Sequence, residues 1–298
     1  MLRERSIFIT RRKYPARAAL EAAVMTALNR EGALVPEMLA FDGEWLLQSD
    51  LAGERLSEAL FEADPERADA LLRTAIESLA QVQEAGHRGM RARDLVVLGD
   101  SARWCRDLAG MPQRIGRFFD RPPPDLDLEA LAERLAVRQA RFVKWDARPG
   151  NAIVTADGKV CWIDWEHCGR RNRLDDMAWL LGDEFTPFDA ARQPALLAHA
   201  VACTAMPDGE GDVADLTLFG TFHTCVRLAL ILSHKEDGPW WDPHYCLAQD
   251  RIGVTREMAL RLCRRGEAWA RLAFPNAALG DWFAGLAEAL PAADDETP

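Results

Sequence analysis

The sequence lacks the cysteine patterns that hold a metal ion or a disulfide framework. Its seven cysteines are scattered over 298 residues, with no Cys-x-x-Cys pair and no Cys/His spacing typical of a zinc site. An odd, dispersed set of thiols predicts reduced, mostly buried cysteines in a cytoplasmic protein. The charged start, Met1–Arg5, leads into no sufficiently long apolar segment, so we expect no signal peptide.

A long uninterrupted apolar run is also missing. The longest apolar region, Leu216–Leu232, contains His223 and Arg227 and is too short and too polar for a typical membrane span. We predict a buried helix there. His223 and Arg227 are one turn apart on the same face. They would either reach a binding pocket or satisfy a buried carboxylate such as Asp215.

The chain has no excess of basic residues. Its net charge is −11, and the segment Leu174–Pro298, with 20 acidic and 9 basic residues, carries all of it. This distribution argues against nucleic acid or an anionic membrane as the main partner. It permits a cationic small-molecule substrate, although a solvated acidic surface is the simpler explanation.

The strongest local pattern lies between residues 142 and 166. Two apolar, β-branched-rich runs, Ala152–Thr155 and Val160–Ile163, flank a short polar segment that contains Asp157 and Gly158. An Asp-Gly pair between such runs is typical of a tight β-hairpin. We therefore predict that the hairpin brings the residues at its two ends together.

Three oxygen-bearing side chains stand at these ends. Asp146 and Asn151 precede the first strand, and Asp164 follows the second. Two carboxylates and a carboxamide would then lie within reach of one cation. Phosphoryl transfer uses this arrangement, because one Asp orients the attacking hydroxyl while an Asn and a second Asp hold Mg²⁺ at the nucleotide phosphates.

Two motifs in this segment carry a resemblance to a known family. Trp145–Asn151 reads W-D-A-R-P-G-N and Ile163–Glu166 reads I-D-W-E. In these motifs the sequence resembles the aminoglycoside phosphotransferase and choline kinase family of protein-kinase-like enzymes. The resemblance implies an ATP- and Mg²⁺-dependent kinase that acts on a hydroxyl group of a small molecule, such as an amino sugar or an amino alcohol.

The resemblance also implies an α+β, protein-kinase-like fold with two lobes. We expect a small β-rich N-terminal lobe over residues 1–51 and a large, mainly helical C-terminal lobe over residues 52–298, with the catalytic hairpin at 142–166. Only five residues precede Ser6. We therefore expect the N-terminal lobe to be partial, without the first two strands and the glycine-containing loop that usually cover ATP.

The resemblance assigns roles to particular residues. Asp146 is the expected catalytic base or hydroxyl-orienting residue, and Asn151 and Asp164 are the expected Mg²⁺ ligands. Arg148 stands two residues after Asp146, where protein kinases place a lysine. It would either neutralise charge on the transferring phosphoryl group or face solvent. Glu166 would help to shape the substrate or metal site.

Nucleotide-binding residues are expected near the start of the chain. In kinases a basic residue on a strand holds the phosphates and pairs with a Glu on the next helix. Strand alternation favours Arg11 over Arg12 and Lys13 for this role, with Glu21 as its partner; an edge-strand charge cluster is the alternative.

Residues 49–53 resemble the connector between the lobes, whose backbone meets the adenine. Ser49 and Leu51 are therefore expected to offer main-chain donors and acceptors to the nucleotide. Asp176 matches a family Asp that supports the catalytic loop from below through backbone hydrogen bonds. We expect it to be structural.

The sequence departs from the family pattern at Lys144, which replaces a His, and at Trp145, which replaces a Gly. Residues 171–173 also lack the usual Gly-Asp-Pro. These departures and the missing strands leave a second hypothesis open. The chain would then be a pseudokinase-like binding or scaffold protein with little or no phosphotransfer. The sequence indicates neither the acceptor nor the oligomeric state.

Hydrophobic periodicity and capping residues predict the remaining elements. Residues 100–125 are expected to be irregular, and the tail Ala292–Pro298 to be disordered. An aromatic loop containing Trp240, Trp241 and Tyr245 would either bind a cationic amine, with Asp237 and Asp242 nearby, or pack beneath the chain. Helices are predicted over 16–29, 64–86, 128–135, 174–181, 190–204, 213–235 and 253–272.

Overall fold

The computed structural model describes residues 6–205, 211–274 and 277–291. Its contacts divide the chain into two compact units. The first contains Met1–Leu98 and Arg138–Asp176, and the second contains Gly99–Val137 and Met177–Pro298. The predicted tail Ala292–Pro298 lies outside the described residues.

Strands occur in the first unit, in three small antiparallel sheets. The sheet orders are β1-β3-β2, β4-β6-β7 and β5-β8. The bounds are β1 (Ile7–Arg11), β2 (Met38–Phe41), β3 (Trp45–Ser49), β4 (Gly53–Arg55), β5 (Arg141–Val143), β6 (Ala152–Thr155), β7 (Val160–Trp162) and β8 (Gly169–Arg171).

The boundary between the two compact units does not fall after Leu51, where the N-terminal lobe is predicted to end. The pairing of β4 with β6 accounts for this. Glu54 lies opposite Val154 in this pair, so the chain after residue 51 is tied to the hairpin in the first unit. The hairpin itself is confirmed: Ile153 pairs with Cys161, and Gly158 takes φ +78° in the turn. Only glycine adopts that conformation without steric cost.

Helices complete both units. The bounds in the first unit are α1 (Pro15–Arg30), α2 (Leu56–Phe61) and α3 (Pro65–Gly89), and α7 (Arg173–Gly182) begins there. The second unit contains α4 (Ala102–Ala109), α5 (Met111–Phe118), α6 (Leu128–Leu135), α8 (Gln193–Thr204), α9 (Val213–Lys235), α10 (Pro243–Ala248), α11 (Arg256–Ala273) and α12 (Ala278–Ala289).

Helix α3 shows how the sequence sets up the core of the first unit. The Asp64 side chain caps the helix by accepting a hydrogen bond from the Arg67 amide, and Pro65 occupies the first turn. The apolar residues that recur along the helix at helical spacing are buried: Ala68, Leu72, Ile76, Leu79 and Val82. The prediction that the helix ends at Gly86 is wrong, because it continues to Gly89. Gly86 lies against the ring of Phe142 on β5, where a side chain would clash.

Two further expectations are settled in the second unit. The prediction that residues 100–125 are irregular is wrong, because α4 and α5 form there, with Ser101 capping α4. Among the described residues, α9 is the one helix long and apolar enough to cross a membrane, yet 83% of its apolar window is buried inside the protein. The prediction of a buried helix is therefore confirmed.

Candidate active site

The loop between β5 and β6 holds the first part of the site. The Asn151 side-chain nitrogen donates to the main-chain oxygen of Asp146 at 3.0 Å and to its carboxylate oxygen Oδ2 at 2.9 Å. A short 3₁₀ turn, Pro149–Asn151, sets this approach, and the Asn151 amide donates to the Arg148 carbonyl at 2.9 Å. Two of the three predicted oxygen-bearing residues are therefore in direct contact.

The backbone is strained at the predicted catalytic positions. Trp145, Asp146 and Asp164 have φ values of +53°, +56° and +61°. Left-handed conformations are uncommon outside glycine and cost about 1–3 kcal/mol each, and they concentrate at functional sites. Surrounding contacts must therefore hold both loops in place.

Asp176 provides one such contact from within the first unit. Its carboxylate accepts the main-chain amides of Lys144 at 2.7 Å and Trp145 at 2.8 Å, and also the Gln83 side-chain amide at 3.0 Å. Burial raises the pKa of Asp176, and these three hydrogen bonds oppose the rise. The predicted support of the catalytic loop by Asp176 is confirmed.

Lys144 makes a second set of contacts. Its side chain is fully buried, and Nζ donates to the main-chain oxygen of Asp164 at 2.9 Å and lies 3.4 Å from that of Asp146. The ammonium is 5.3 Å from the centre of the Trp165 ring. Burial lowers the pKa of Lys144, whereas the charges of Asp146, Asp164 and Asp176 raise it.

The basic residue that pairs with Glu21 is Arg12, so the choice of Arg11 is wrong. Arg12 Nε lies 2.6 Å from Glu21 Oε2, and Nη2 lies 2.8 Å from both Glu21 Oε1 and Asp164 Oδ1. Arg11 instead pairs with Glu44 on an exposed surface. The alternation rule failed because β1 has no buried face: Ile7–Ile9 are all about half exposed.

Arg12 joins three carboxylates near the end of the hairpin. Besides Glu21 and Asp164, its Nη1 lies 3.5 Å from Glu166. Burial alone would lower the pKa of Arg12, but the Glu21 hydrogen bond and the charges of Glu21, Asp164 and Glu166 outweigh it and raise the pKa. Glu21 is itself buried and accepts the Trp165 amide at 3.3 Å.

The two residues predicted to contact the nucleotide from the connector, Ser49 and Leu51, have different outcomes. The Ser49 amide already donates to the Glu37 carbonyl at 2.9 Å, and the Ser49 hydroxyl accepts from the Glu37 amide at 2.8 Å. The part of the prediction that made the Ser49 amide a donor to the nucleotide is therefore wrong, because this amide already bonds to Glu37. The main-chain acceptor role of Ser49 stays a prediction. Leu51 follows β3 and is half-buried. Its role stays a prediction.

The donor set fits a magnesium ion better than a metal held by protein ligands alone. In the described part of the chain, no group of three or more His, Cys, Asp or Glu side chains converges as a metal site. Mg²⁺ in phosphotransferases needs only one or two carboxylates, because phosphates and waters complete its shell. With its nitrogen committed to Asp146, Asn151 presents an amide oxygen of the required kind, and Asp164 presents a partly exposed carboxylate.

In the second unit, Arg227 pairs with a buried carboxylate other than the suggested Asp215. Its guanidinium makes two hydrogen bonds to Glu184, at 2.7 and 2.6 Å. His223, one turn earlier, lies against the Trp179 ring with 4.1 Å between ring centres. The structural alternative is confirmed for Arg227, which satisfies a buried carboxylate, whereas His223 packs against an aromatic ring.

The aromatic loop already contacts a cation of this chain, the ammonium group of Lys235. Lys235 Nζ lies 5.0 Å from the centre of the Trp240 ring, and Trp241 packs edge-on against Tyr245 with 6.1 Å between ring centres. Asp242 caps α10 by accepting the Tyr245 amide. These faces can accept a cation, although binding of an amine to them stays a prediction.

The chain and its fold resemble known proteins. A model described as the phosphotransferase enzyme family matches residues 7–209, about two-thirds of the chain. No curated protein sequence gives a significant match. Solved structures match over most of their length, at identities low enough that they show the fold alone.

Three of these structures have similar scores. An aminoglycoside phosphotransferase from Alicyclobacillus acidocaldarius subsp. acidocaldarius DSM 446 has a TM-score of 0.52 at 15% identity, covering 96% of this chain and 88% of that chain. The AMP-bound spectinomycin phosphotransferase APH(9)-Ia gives 0.51 at 11%, covering 95% and 88%. The GDP complex of wild-type aminoglycoside 2′-phosphotransferase-IIIa gives 0.51 at 14%, covering 89% and 86%.

The fold and the clustered side chains define the class. This is an α+β protein of the protein-kinase-like fold, with an Asp–Asn pair in the loop between β5 and β6 and an arginine just after β1 paired to a glutamate of α1. The chain belongs to the phosphotransferase enzyme family. Sequence reasoning missed the contacts of Lys144. Its signal was a lysine inside an otherwise apolar run, Phe142–Trp145, where burial requires specific hydrogen-bond partners.

Proposed function

We propose that this protein is an ATP- and Mg²⁺-dependent kinase that phosphorylates a hydroxyl group of a small molecule bearing an amine. One observation carries the proposal. Asp146 accepts a hydrogen bond from Asn151, and Asp164 accepts one from Arg12, which also pairs with Glu21. Both aspartates have a left-handed backbone. Phosphoryl transfer needs this combination, because its catalysis depends on positioning and electrostatics.

In the proposed reaction, Asp146 orients the acceptor hydroxyl and takes up its proton. The Asn151 amide fixes one carboxylate oxygen, Oδ2, at 2.9 Å. The other oxygen of the carboxylate is then the one that a substrate hydroxyl would meet. A positioned carboxylate base of this kind contributes about 10²–10⁴-fold to the rate.

The nucleotide phosphates are proposed to lie near Arg12, Asn151 and Asp164. Arg12 already has Glu21 as a fixed partner, so its guanidinium is oriented before a phosphate arrives. Asn151 Oδ1 and the Asp164 carboxylate would hold Mg²⁺, which when bound neutralises charge on the phosphates. Arg148, half-buried at the start of the 3₁₀ turn, is proposed to stabilise the transferring phosphoryl group.

Two observations support an amine-bearing acceptor. The net charge is −11, which favours a cationic small molecule over an anionic one. The solved structures with this fold include phosphotransferases named for spectinomycin and for aminoglycosides. The seven cysteines are all free thiols, which supports a reducing, cytoplasmic location.

The test combines binding with turnover. Thermal denaturation is measured with ATP, Mg²⁺, both or neither, and ADP release is then measured over a panel of amino sugars and amino alcohols. We expect stabilisation that requires both ATP and Mg²⁺, and ADP release stimulated by one class of amine. Absence of any shift at millimolar ATP and Mg²⁺ would exclude the kinase.

The alternative is a pseudokinase-like binding protein. One observation favours it: Asp164 Oδ1 already accepts a hydrogen bond from Arg12, and a metal would compete with that contact. A nucleotide-dependent thermal shift with no phosphorylated product on any acceptor, and no slow ATP hydrolysis, would select this alternative. Product formation would reject it.

A further inference from the structure

Lys144 occupies the position at which the resembled family has a histidine, and the structure gives it an unusual set of contacts. A lysine is seldom fully buried, because an ammonium group loses its hydration unless protein atoms replace it. Here main-chain oxygens replace it. Nζ lies 2.9 Å from the Asp164 oxygen and 3.4 Å from the Asp146 oxygen.

The two carbonyls that Lys144 contacts belong to particular residues. Asp146 and Asp164 are the aspartates of the catalytic loop and the metal loop, and both have left-handed backbones, with φ of +56° and +61°. They are 18 residues apart in the sequence and are joined by the hairpin. One ammonium therefore connects the two strained turns from which the acidic side chains project.

The other contacts of Lys144 hold its backbone and its ammonium group. Its own amide is held by the buried Asp176 carboxylate at 2.7 Å. Its Nζ lies 5.3 Å from the centre of the Trp165 ring, next to Asp164, and the ring face is electron-rich. The backbone of Lys144 and the ammonium end of its side chain are thus both fixed before any ligand binds.

We infer that Lys144 is a positioning residue that ties the catalytic loop to the metal loop and sets the distance between the two carboxylates. This inference rests on the proposed function. Lys144 touches neither the phosphate acceptor nor the nucleotide in this assignment, and it acts through the backbones of Asp146 and Asp164. A lysine bears three donors, whereas a neutral imidazole bears one, so Lys144 can serve both carbonyls where a histidine serves one.

The test uses Lys144→Met, which keeps the apolar stem and removes the donor, and Lys144→His, which restores a single donor. Lys159→Met is the matched control, because Lys159 is an exposed lysine paired with Asp157 in the turn of the same hairpin. The Mg²⁺ concentration for half-maximal activity, kcat and the KM for ATP are measured for each variant.

We expect Lys144→Met to lower kcat about 10²-fold, as a displacement of about 1 Å between catalytic groups would. The Mg²⁺ midpoint should rise at least severalfold, with a smaller change in the KM for ATP. Lys144→His should recover part of both losses, and Lys159→Met should match the wild type. A folded Lys144→Met variant with the wild-type kcat and Mg²⁺ midpoint would overturn the inference.

Two further outcomes of this test also have a defined meaning. If Lys144→Met does not fold, Lys144→His decides: intermediate values support the two-carbonyl tether and wild-type values refute it. If the wild type shows no Mg²⁺-dependent nucleotide binding, the proposed function fails on its own. Hydrogen exchange without ligand then tests the tether: Lys144→His should exchange faster than wild type at both Trp145–Asp146 and Asp164–Trp165. Unchanged protection there would also refute it.

Discussion

Each unit of the protein contains a cluster of acidic residues and arginines, and the two clusters differ in exposure and backbone. In the first unit, the side chains of Arg12 and Asp164 are 18% and 30% exposed, and Asp164 is left-handed. In the second unit, Glu184 is fully buried, and Arg227 makes two hydrogen bonds to it. The residue types are the same, so residue type alone does not identify a site.

A second pair of residues supports the same conclusion. Lys144 in the first unit and Arg265 in the second are both fully buried cations that donate to main-chain carbonyls. Arg265 bonds the Asp183 and Thr186 oxygens at 2.9 and 2.6 Å, and burial lowers its pKa to about 9. Lys144 instead holds two left-handed aspartates whose carboxylates are partly exposed. Left-handed backbone at clustered, partly exposed carboxylates separates the site around Asp146 and Asp164 from the buried network of Arg265.

The largest expected effect is on activity. Asp146→Asn keeps the shape of the side chain but removes the carboxylate that would accept the substrate proton, so kcat should fall about 10²–10⁴-fold. The free energy of unfolding should change by less than about 1 kcal/mol, because Asp146 is half-buried. Steady-state ADP release and urea unfolding measure the two quantities.

Asp157→Asn is the control for this prediction. Asp157 is an exposed acid in the hairpin turn, and its loss should leave kcat unchanged. Full activity in Asp146→Asn, or a loss of activity caused only by unfolding, would contradict the distinction between a catalytic cluster in the first unit and a structural cluster in the second.

The next effect is on stability and belongs to the second unit. Glu184→Gln removes the carboxylate that makes both hydrogen bonds to the buried Arg227 and leaves only Asp183, 3.7 Å away. Breaking a buried ion pair in this way typically costs about 3–5 kcal/mol. Urea unfolding should show this loss directly. The control is Glu257→Gln, since Glu257 forms an exposed pair with Arg261 that contributes less than about 1 kcal/mol. A Glu184→Gln protein as stable as its control would contradict the structural role of this cluster.

The third effect separates two adjacent arginines. Arg12→Met removes a guanidinium fixed by Glu21 and should weaken ATP binding about 10–100-fold, the range expected for a hydrogen bond to a charged group. Arg11→Met should have no such effect, because Arg11 pairs with Glu44 on the surface. The KM for ATP and the ATP concentration needed for a thermal shift provide the measurement. Equal losses in both variants would contradict the assignment of the phosphate contact to Arg12 alone, and a loss confined to Arg11→Met would restore the prediction of Arg11.

The sequence was sufficient where a local rule determines the structure. The hairpin follows from Asp157-Gly158 between two β-rich runs, and α6 and α9 have the predicted bounds. The contact between Asp146 and Asn151 follows from their place in one short loop. The support from Asp176 came from the family resemblance and not from periodicity.

Long-range pairing was beyond these rules. Strand alternation assumes one buried face, and β1 has none, so it selected Arg11. The three-residue strands β4, β5 and β8 carry no periodicity of their own, because each forms only when a distant partner is present. The partner of Arg227 was equally unpredictable, since Glu184 lies 43 residues away.

The smallest expected effect is a change in the free energy of unfolding with pH, caused by His223 in the buried cluster of the second unit. Burial lowers the pKa of His223 from its ordinary 6.5 to about 3, and the positive charge of Arg227 adds to the shift while Glu184 opposes it. Between these two pKa values the unfolded chain binds a proton that the folded chain does not. The free energy of unfolding should therefore fall as the pH drops below 6.5, by about 1.4 kcal/mol per pH unit, or about 2 kcal/mol between pH 6.5 and pH 5.

His223→Leu should remove this slope while the rest of the titration stays. Asp175 in the first unit contributes with the opposite sign, because burial raises its pKa to about 7 and its contribution is lost as the pH rises through that value. Since Asp175 is present in both proteins, its effect cancels in the difference between their urea-unfolding free energies at pH 7, 6 and 5. Parallel curves for the two proteins would show that His223 binds a proton as readily in the folded chain as in the unfolded chain. The buried cluster would then be open to water, and burial would no longer distinguish it from the site around Asp164.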